Sequence, residues 1–153
     1  INEDGPTPNL VRNGYRIISK EWKAGDKIKF AMDMPAVLIE SNPLVEETRN
    51  QVAVKRGPVV YCLESADLPA GQNVFDVVIP ANISLQPALM KIDNGTVIGL
   101  TGQAKKLQSN NWDNKLYKEV NRNMQWVTIK LIPYYAWANR GKTDMTVWMP
   151  VMR

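Results

Sequence analysis

The sequence contains no histidine and a single cysteine among its 153 residues. Without an imidazole, a Ser-His-Asp triad, a histidine general base and a histidine-ligated zinc are all excluded. One cysteine excludes an intrachain disulfide and a cluster of thiolate ligands. The chemistry open to the chain rests on carboxylates, lysines, tyrosines and one thiol, and we expect no metal site or cofactor in it.

Long apolar runs are also missing. No stretch approaches the roughly 20 consecutive apolar residues that span a bilayer, so no membrane partner is predicted. Hydrophobic residues make up 44% and charged residues 22%, which is typical of globular domains. The net charge of +4 arises after residue 66, but the basic residues there come singly or in pairs, such as Lys105-Lys106. This pattern favours a solvated surface over a nucleic-acid partner.

The dominant hydrophobic period is two, which predicts strands. Ile28, Phe30, Met32 and Met34 fall on one face of an extended segment. With a turn at Gly25-Asp26 before it, this segment predicts a hairpin of residues 15–22 with residues 27–34.

The segment Val59-Val-Tyr-Cys-Leu63 is apolar on both faces, which predicts a central strand covered on both sides. The best helical candidate, residues 85–91, is short and contains Pro87. The fold class predicted is all-β with almost no helix, an antiparallel, jelly-roll-like β-sandwich. Further strands are predicted at residues 36–39, 51–55, 74–79, 96–100, 126–132 and 144–149.

Two small packed β-units are expected. The segment around residues 67–73 has the composition of a linker and lies where the charge balance changes. We therefore predict a first unit at residues 1–66 and a second at residues 74–153.

Two kinds of reactive side chain are candidates for catalysis. Cys62 lies among apolar residues, which indicates a buried small hydrophobe rather than a nucleophile. Glu21, Asp26, Glu40 and Glu64 lie at predicted strand ends or turns, where solvated acids are normal. The sequence brings no two of them together as a glycosidase pair.

The segment after residue 133 is the strongest binding candidate. Tyr134, Tyr135 and Trp137 are followed by Asn139 and Arg140. Aromatic faces stack on sugar rings while amide and guanidinium groups donate hydrogen bonds, so these five residues are a candidate carbohydrate site. The alternative, which we favour, is that the rings pack between layers or against a neighbouring domain.

Three segments carry a family resemblance. The first is Trp22-Lys-Ala-Gly-Asp26 leading into Phe30-Ala-Met-Asp-Met-Pro35. The second is Val52-Ala-Val-Lys-Arg-Gly-Pro-Val-Val-Tyr-Cys-Leu-Glu64. The third is Leu131-Ile-Pro-Tyr-Tyr-Ala-Trp-Ala-Asn-Arg-Gly141, followed by Met145-Thr-Val-Trp148. In this order they resemble the C-terminal part of glycoside hydrolase family 127, the β-L-arabinofuranosidase-like enzymes.

The resemblance implies an accessory role. Family members carry an N-terminal (α/α) barrel with a zinc-bound cysteine cluster, a cysteine nucleophile and glutamates, followed by two β-sandwich units. None of those catalytic motifs has a counterpart here, so we expect a non-catalytic region of a bacterial glycosidase. Its expected partners are the catalytic barrel, which would hold the zinc, a second copy of the chain, and carbohydrate. An autonomous carbohydrate-binding module is the alternative.

The start at Ile1, without a signal-peptide pattern, fits a segment excised from a longer chain. One thiol without disulfides fits both a cytoplasmic and a periplasmic protein, so the compartment stays open.

Overall fold

The structure is a computed structural model that describes residues 10–29, 31–93, 95–108, 113–119 and 123–153. The chain divides into two compact units, residues 1–33 and residues 34–153.

The first unit contains a short hairpin. Strand β1 (Leu10–Arg12) pairs antiparallel with β2 (Tyr15–Ile17). The turn residues Asn13 and Gly14 have φ values of 52° and 80°. Two successive positive φ angles are the type I′ geometry, which matches the twist of the flanking strands and favours Asn-Gly. The period-two pattern had placed the hairpin further along the chain.

The predicted pairing of residues 15–22 with residues 27–34 is wrong. A turn does form, because the Lys23 N–H donates to the Asp26 carboxylate at 3.0 Å, a bond that lowers the pKa of this carboxyl. However, the described residues 18–29 and 31–35 form no strand, and Ile28 and Met32 are exposed; Phe30 lies outside the described residues. An alternating pattern forms a strand only where a partner strand receives it, and the partner of β2 is β1.

The described part of the second unit contains nine strands. They are β3 (Ala36–Ile39), β4 (Gln51–Arg56), β5 (Val59–Glu64), β6 (Val77–Pro80), β7 (Gln86–Ile92), β8 (Gly95–Leu107), β9 (Met124–Pro133), β10 (Met145–Thr146) and β11 (Met149–Met152). The described helices are single 3₁₀ turns of three residues, and none of them is long and apolar enough to cross a membrane.

Six of these strands close into a barrel. In order around the ring they are β5, β9, β8, β6, β11 and β4, and β4 pairs with β5 to close it. The β6–β11 pair is parallel and the other pairs in the ring are antiparallel. Strands β3, β7 and β10 pair with β4, β8 and β5 respectively and extend beyond the ring.

The all-β prediction with almost no helix is confirmed, but the strand pairing forms a closed barrel with additional strands rather than an evident sandwich. The reason for the difference is physical. Hydrophobic periodicity reports which face of a strand is buried, whereas closure depends on which strand edges meet. The predicted strands at residues 51–55, 96–100 and 126–132 lie within β4, β8 and β9.

The predicted central strand, β5, is confirmed and has two buried faces. Tyr61 and Leu63 belong to the main hydrophobic core, together with residues such as Leu100 and Leu131 of β8 and β9. Cys62, between them, points the other way into a second cluster. This alternation explains why both faces of the strand are apolar.

The helical candidate at residues 85–91 is wrong, because this segment is strand β7. It pairs with β8 from Gln86↔Thr101 to Ile92↔Gly95. Ala88, Met90 and Ile92 are partly buried and alternate with exposed residues, which is a period of two. Pro87 fits because a strand at a sheet edge does not need every N–H for pairing.

Two further predicted strands, residues 74–79 and residues 144–149, are each interrupted. Residues 74–79 begin with a 3₁₀ turn (Val74–Asp76) before β6, and residues 144–149 are divided between β10 and β11. The segment predicted as a linker follows β5 closely, and its Leu68 packs in the main core. The strands before and after this segment belong to one network of paired strands. The domain boundaries at residues 1–66 and 74–153 stay a prediction.

Candidate functional site

Residues 133–141, here called the aromatic loop, leave the end of β9 and fold over the outside of β5. The loop begins with a 3₁₀ turn (Tyr134–Ala136). Ala138 has a φ of 64°, a left-handed conformation that is unusual for a residue with a side chain. A conformation of this kind persists where surrounding contacts hold it.

A second hydrophobic cluster lies beneath the loop. Cys62 of β5, Val97 of β8, Ile132 of β9 and Ala136 of the loop are all buried together. Methionine, isoleucine and valine side chains pack around them, from Met90, Ile92, Met145 and Val147. Burial raises the pKa of the Cys62 thiol to about 12, so the thiol stays protonated. The prediction that Cys62 is a buried hydrophobe is confirmed.

The carboxylate of Glu64 fixes the loop from below. Its side chain is 0% exposed. One oxygen, Oε1, accepts hydrogen bonds from the Ala138 N–H and from the Thr143 hydroxyl, both at 3.2 Å. The other, Oε2, accepts from Nε of Arg140 at 3.0 Å and also from its Nη2. The interpretation of Glu64 as a solvated acid at a strand end is therefore wrong.

Asp67 lies on the other side of Arg140 and also accepts hydrogen bonds from it. Arg140 Nη1 donates to Asp67 Oδ1 at 3.0 Å, and Nη2 donates to Oδ2 at 2.5 Å. The hydrogen bonds that Arg140 donates to Asp67 and Glu64 raise the pKa of the guanidinium above its usual value. Because one arginine satisfies both carboxylates, these two acids are not arranged as a general acid and base. We call Glu64, Asp67 and Arg140 the ion cluster.

The predicted carbohydrate residues all lie on the aromatic loop, but they divide into two groups. Tyr134, Tyr135 and Trp137 are exposed, and the rings of Tyr134 and Trp137 stack with centroids 6.1 Å apart and planes 16° apart. Asn139 instead donates to the carbonyls of Ala136 and Trp137, and Arg140 is held in the ion cluster. The loop therefore displays rings while its polar side chains serve its own structure.

A broad groove of about 700 Å³ lies beside the loop. Tyr134, Phe75 and Trp148 contribute rings to it, and Glu47 is the acid in its lining. One carboxylate in an open groove does not supply the acid pair that glycoside hydrolysis requires.

The residues of this chain do not fit a zinc centre. Among the described residues, no three histidine, cysteine, aspartate or glutamate side chains are grouped to hold a metal ion. The one thiol is buried among apolar side chains and protonated. The zinc that the family resemblance implies stays a prediction about the catalytic domain.

Fold and site together define a β-barrel domain. Its buried charged side chains hold a surface loop in place and are not arranged for catalysis. Residues 36–150 match the family model for the glycoside hydrolase family 127 C-terminal domain. The chain therefore belongs to this family, and the resemblance recognised in the sequence is confirmed.

Relatives from the same family agree with this assignment. The chain is 33% identical over 134 residues to a non-reducing end β-L-arabinofuranosidase from Bifidobacterium longum subsp. longum, covering 82% of this chain and 20% of that protein. A solved glycoside hydrolase superimposes with a TM-score of 0.83 at 48% identity, over 95% of this chain and 24% of the other. The family 127 β-L-arabinofuranosidase from Geobacillus stearothermophilus T6 superimposes with a TM-score of 0.81 at 32% identity, over 99% and 24% respectively. The chain thus spans about a fifth to a quarter of these relatives.

Removing the cation from the ion cluster tests its structural role. Arg140→Met leaves Glu64 buried without a counter-charge, so we expect the free energy of unfolding to fall by about 3 kcal/mol. Urea unfolding followed by circular dichroism measures this change.

The matched control is Arg153→Met, which removes the exposed Arg153–Glu40 pair. We expect it to change the free energy of unfolding by no more than about 0.5 kcal/mol. Equal effects of the two substitutions would show that the buried cluster adds nothing beyond a surface ion pair.

Proposed function

We propose that this chain is a non-catalytic accessory domain of a family 127 glycoside hydrolase, and that its aromatic loop packs against the catalytic domain. The observation that carries the proposal is that the loop exposes aromatic rings while hydrogen bonds hold its backbone in one conformation. Tyr135 is 71% exposed and Trp137 is 40% exposed, yet the backbone beneath them is fixed by Glu64. Exposed aromatic surface held in one conformation is typical of an interaction site, because little entropy is lost when a partner covers it.

Two further observations support a packing role. The match is to the C-terminal domain of the family, and the chain corresponds to a small share of the relatives' length. The hydrogen-bonding side chains that a sugar would need, Asn139 and Arg140, already have partners within the domain. Rings whose neighbouring loop side chains already have partners suit a protein surface better than a sugar.

The proposal is tested by placing a charge on the loop. Tyr135→Asp in the glycosidase that contains this chain should lower the thermal midpoint of the whole enzyme, since the carboxylate would be buried against the catalytic domain. In the separate chain, the same substitution lies at the surface and should change stability by no more than about 0.5 kcal/mol.

Tyr117→Asp is the control, because Tyr117 is 88% exposed and lies outside the aromatic loop. Tyr117→Asp should change neither the thermal midpoint of the whole enzyme nor the stability of the separate chain. Equal thermal midpoints for the Tyr135→Asp and unmodified enzymes would contradict a packing role for the loop. Oligomerisation, which we also propose for this domain, is read from sedimentation velocity of the chain with and without Tyr135→Asp.

The alternative function is a carbohydrate-binding module that uses Tyr134, Tyr135 and Trp137 as a platform. The near-parallel rings of Tyr134 and Trp137 favour it, because such an arrangement can receive successive sugar rings.

A titration of the chain with arabinose-containing oligosaccharides, followed by tryptophan fluorescence, separates the two functions. The packing role predicts no saturable change that depends on Trp137. A saturable change that Trp137→Ala abolishes, with the circular dichroism spectrum intact, would favour the binding module.

A further inference from the structure

A second groove lies away from the aromatic loop, beside the pair β8–β9, and has a volume of about 490 Å³. Its floor includes Trp126 and Thr128 of β9 and Gln103 of β8. One wall is the segment that joins β6 to β7. Trp126 is separated from the end of β9 at Pro133 by seven residues, or about 23 Å of extended strand, so the groove and the loop are different sites.

Trp126 supplies an aromatic face that is already oriented. The side chain is 61% exposed although it lines the groove. Lys105, its directly opposite partner on β8, places Nζ 3.6 Å from the ring centroid. Lys105 is not among the residues that line the groove, and most of the Trp126 side chain remains exposed beside this contact.

Uncharged hydrogen-bonding groups surround this ring. Gln103 Nε2 donates to the Thr128 hydroxyl at 2.9 Å, and Gln86 Nε2 donates to the Ser84 hydroxyl at 3.0 Å. An amide carries two N–H donors and a carbonyl, and a hydroxyl both donates and accepts. Each pair therefore keeps donors and acceptors with which to contact a ligand.

The lining chemistry selects among ligand classes. Among the described residues, no acidic or basic side chain lines the groove, and the nearby Lys105 is engaged on the ring. A phosphate or carboxylate ligand would need a free cation or a helix N-terminus, which this lining lacks. A ligand with one apolar face and several hydroxyls matches an aromatic ring surrounded by amides and hydroxyls.

We propose that this groove is a binding site for a neutral oligosaccharide, with one sugar ring stacked on Trp126 and its hydroxyls bonded to Gln103 and Thr128. The site is independent of the packing role of the aromatic loop.

The test is a titration of the ¹⁵N-labelled chain with arabinotriose, following the indole N–H signals of its five tryptophans by NMR. We expect the Trp126 signal, assigned by its loss in Trp126→Ala, to shift saturably with a dissociation constant of about 1 mM. Trp126→Ala should abolish binding, read from the remaining backbone signals near the groove. Gln103→Ala should weaken binding about fivefold by removing one of the hydrogen bonds.

The matched control is Trp22→Ala. Trp22 is also exposed and also has a lysine over its ring, with Lys20 Nζ 5.0 Å from the centroid, but it does not line the groove. This variant should bind like the unmodified chain.

Three results would overturn the proposal. The first is the absence of any saturable shift of the Trp126 signal. The second is binding that survives Trp126→Ala but is lost in Trp137→Ala, which would assign the sugar to the aromatic loop. The third is a saturable shift with inorganic phosphate and none with arabinotriose, which would make the groove an anion site. Because the packing role is measured by thermal stability of the whole enzyme, each proposal can fail without the other.

Discussion

The conformation of the aromatic loop depends on the buried carboxylate of Glu64. A carboxylate with no solvent contact is stable only when its charge and lone pairs are satisfied. Here Arg140 provides the charge, while the Ala138 N–H and the Thr143 hydroxyl provide further hydrogen bonds. All three partners come from the segment after β9, so satisfying one side chain of β5 fixes the path of that segment.

The position of Glu64 follows from the geometry of the barrel. Side chains along a strand alternate, so Tyr61 and Leu63 enter the main core while Cys62 and Glu64 point to the outside of β5. The aromatic loop covers that outer surface. Ala136 of the loop is buried with Cys62, and the guanidinium of Arg140 bonds to Glu64, which is two residues further along β5. Strand β5 therefore contacts the barrel core with one face and the aromatic loop with the other.

Much of the fold could be predicted from the sequence, but the ion cluster could not. The two-sided apolar run in β5 and the β-branched run in β9 are local patterns, and both were predicted correctly. β7 was not predicted as a strand. Residues 85–91 were only a weak helical candidate, and their period of two becomes meaningful only beside β8. Glu64 looked like a solvated acid because Arg140 is 76 residues away and no local pattern links them. The turn residues Asn13 and Gly14 were a readable hairpin signal that the alternation at residues 28–34 outweighed. The family resemblance identified the domain, which periodicity alone could not do. It rests on three segments that are far apart in the chain, whereas periodicity is a local pattern.

The reactivity of the single thiol tests most directly whether the ion cluster holds the loop over β5. Cys62 lies under Ala136, so a thiol reagent reaches it only when the loop opens or the domain unfolds. The account predicts that Arg140→Met, or the milder Thr143→Val, accelerates labelling of Cys62 under native conditions, while Arg153→Met does not. The measurement is the labelling rate followed by mass spectrometry, with the fully unfolded chain as reference. Equal labelling rates in all of these proteins would contradict the claim that the ion cluster keeps the loop closed.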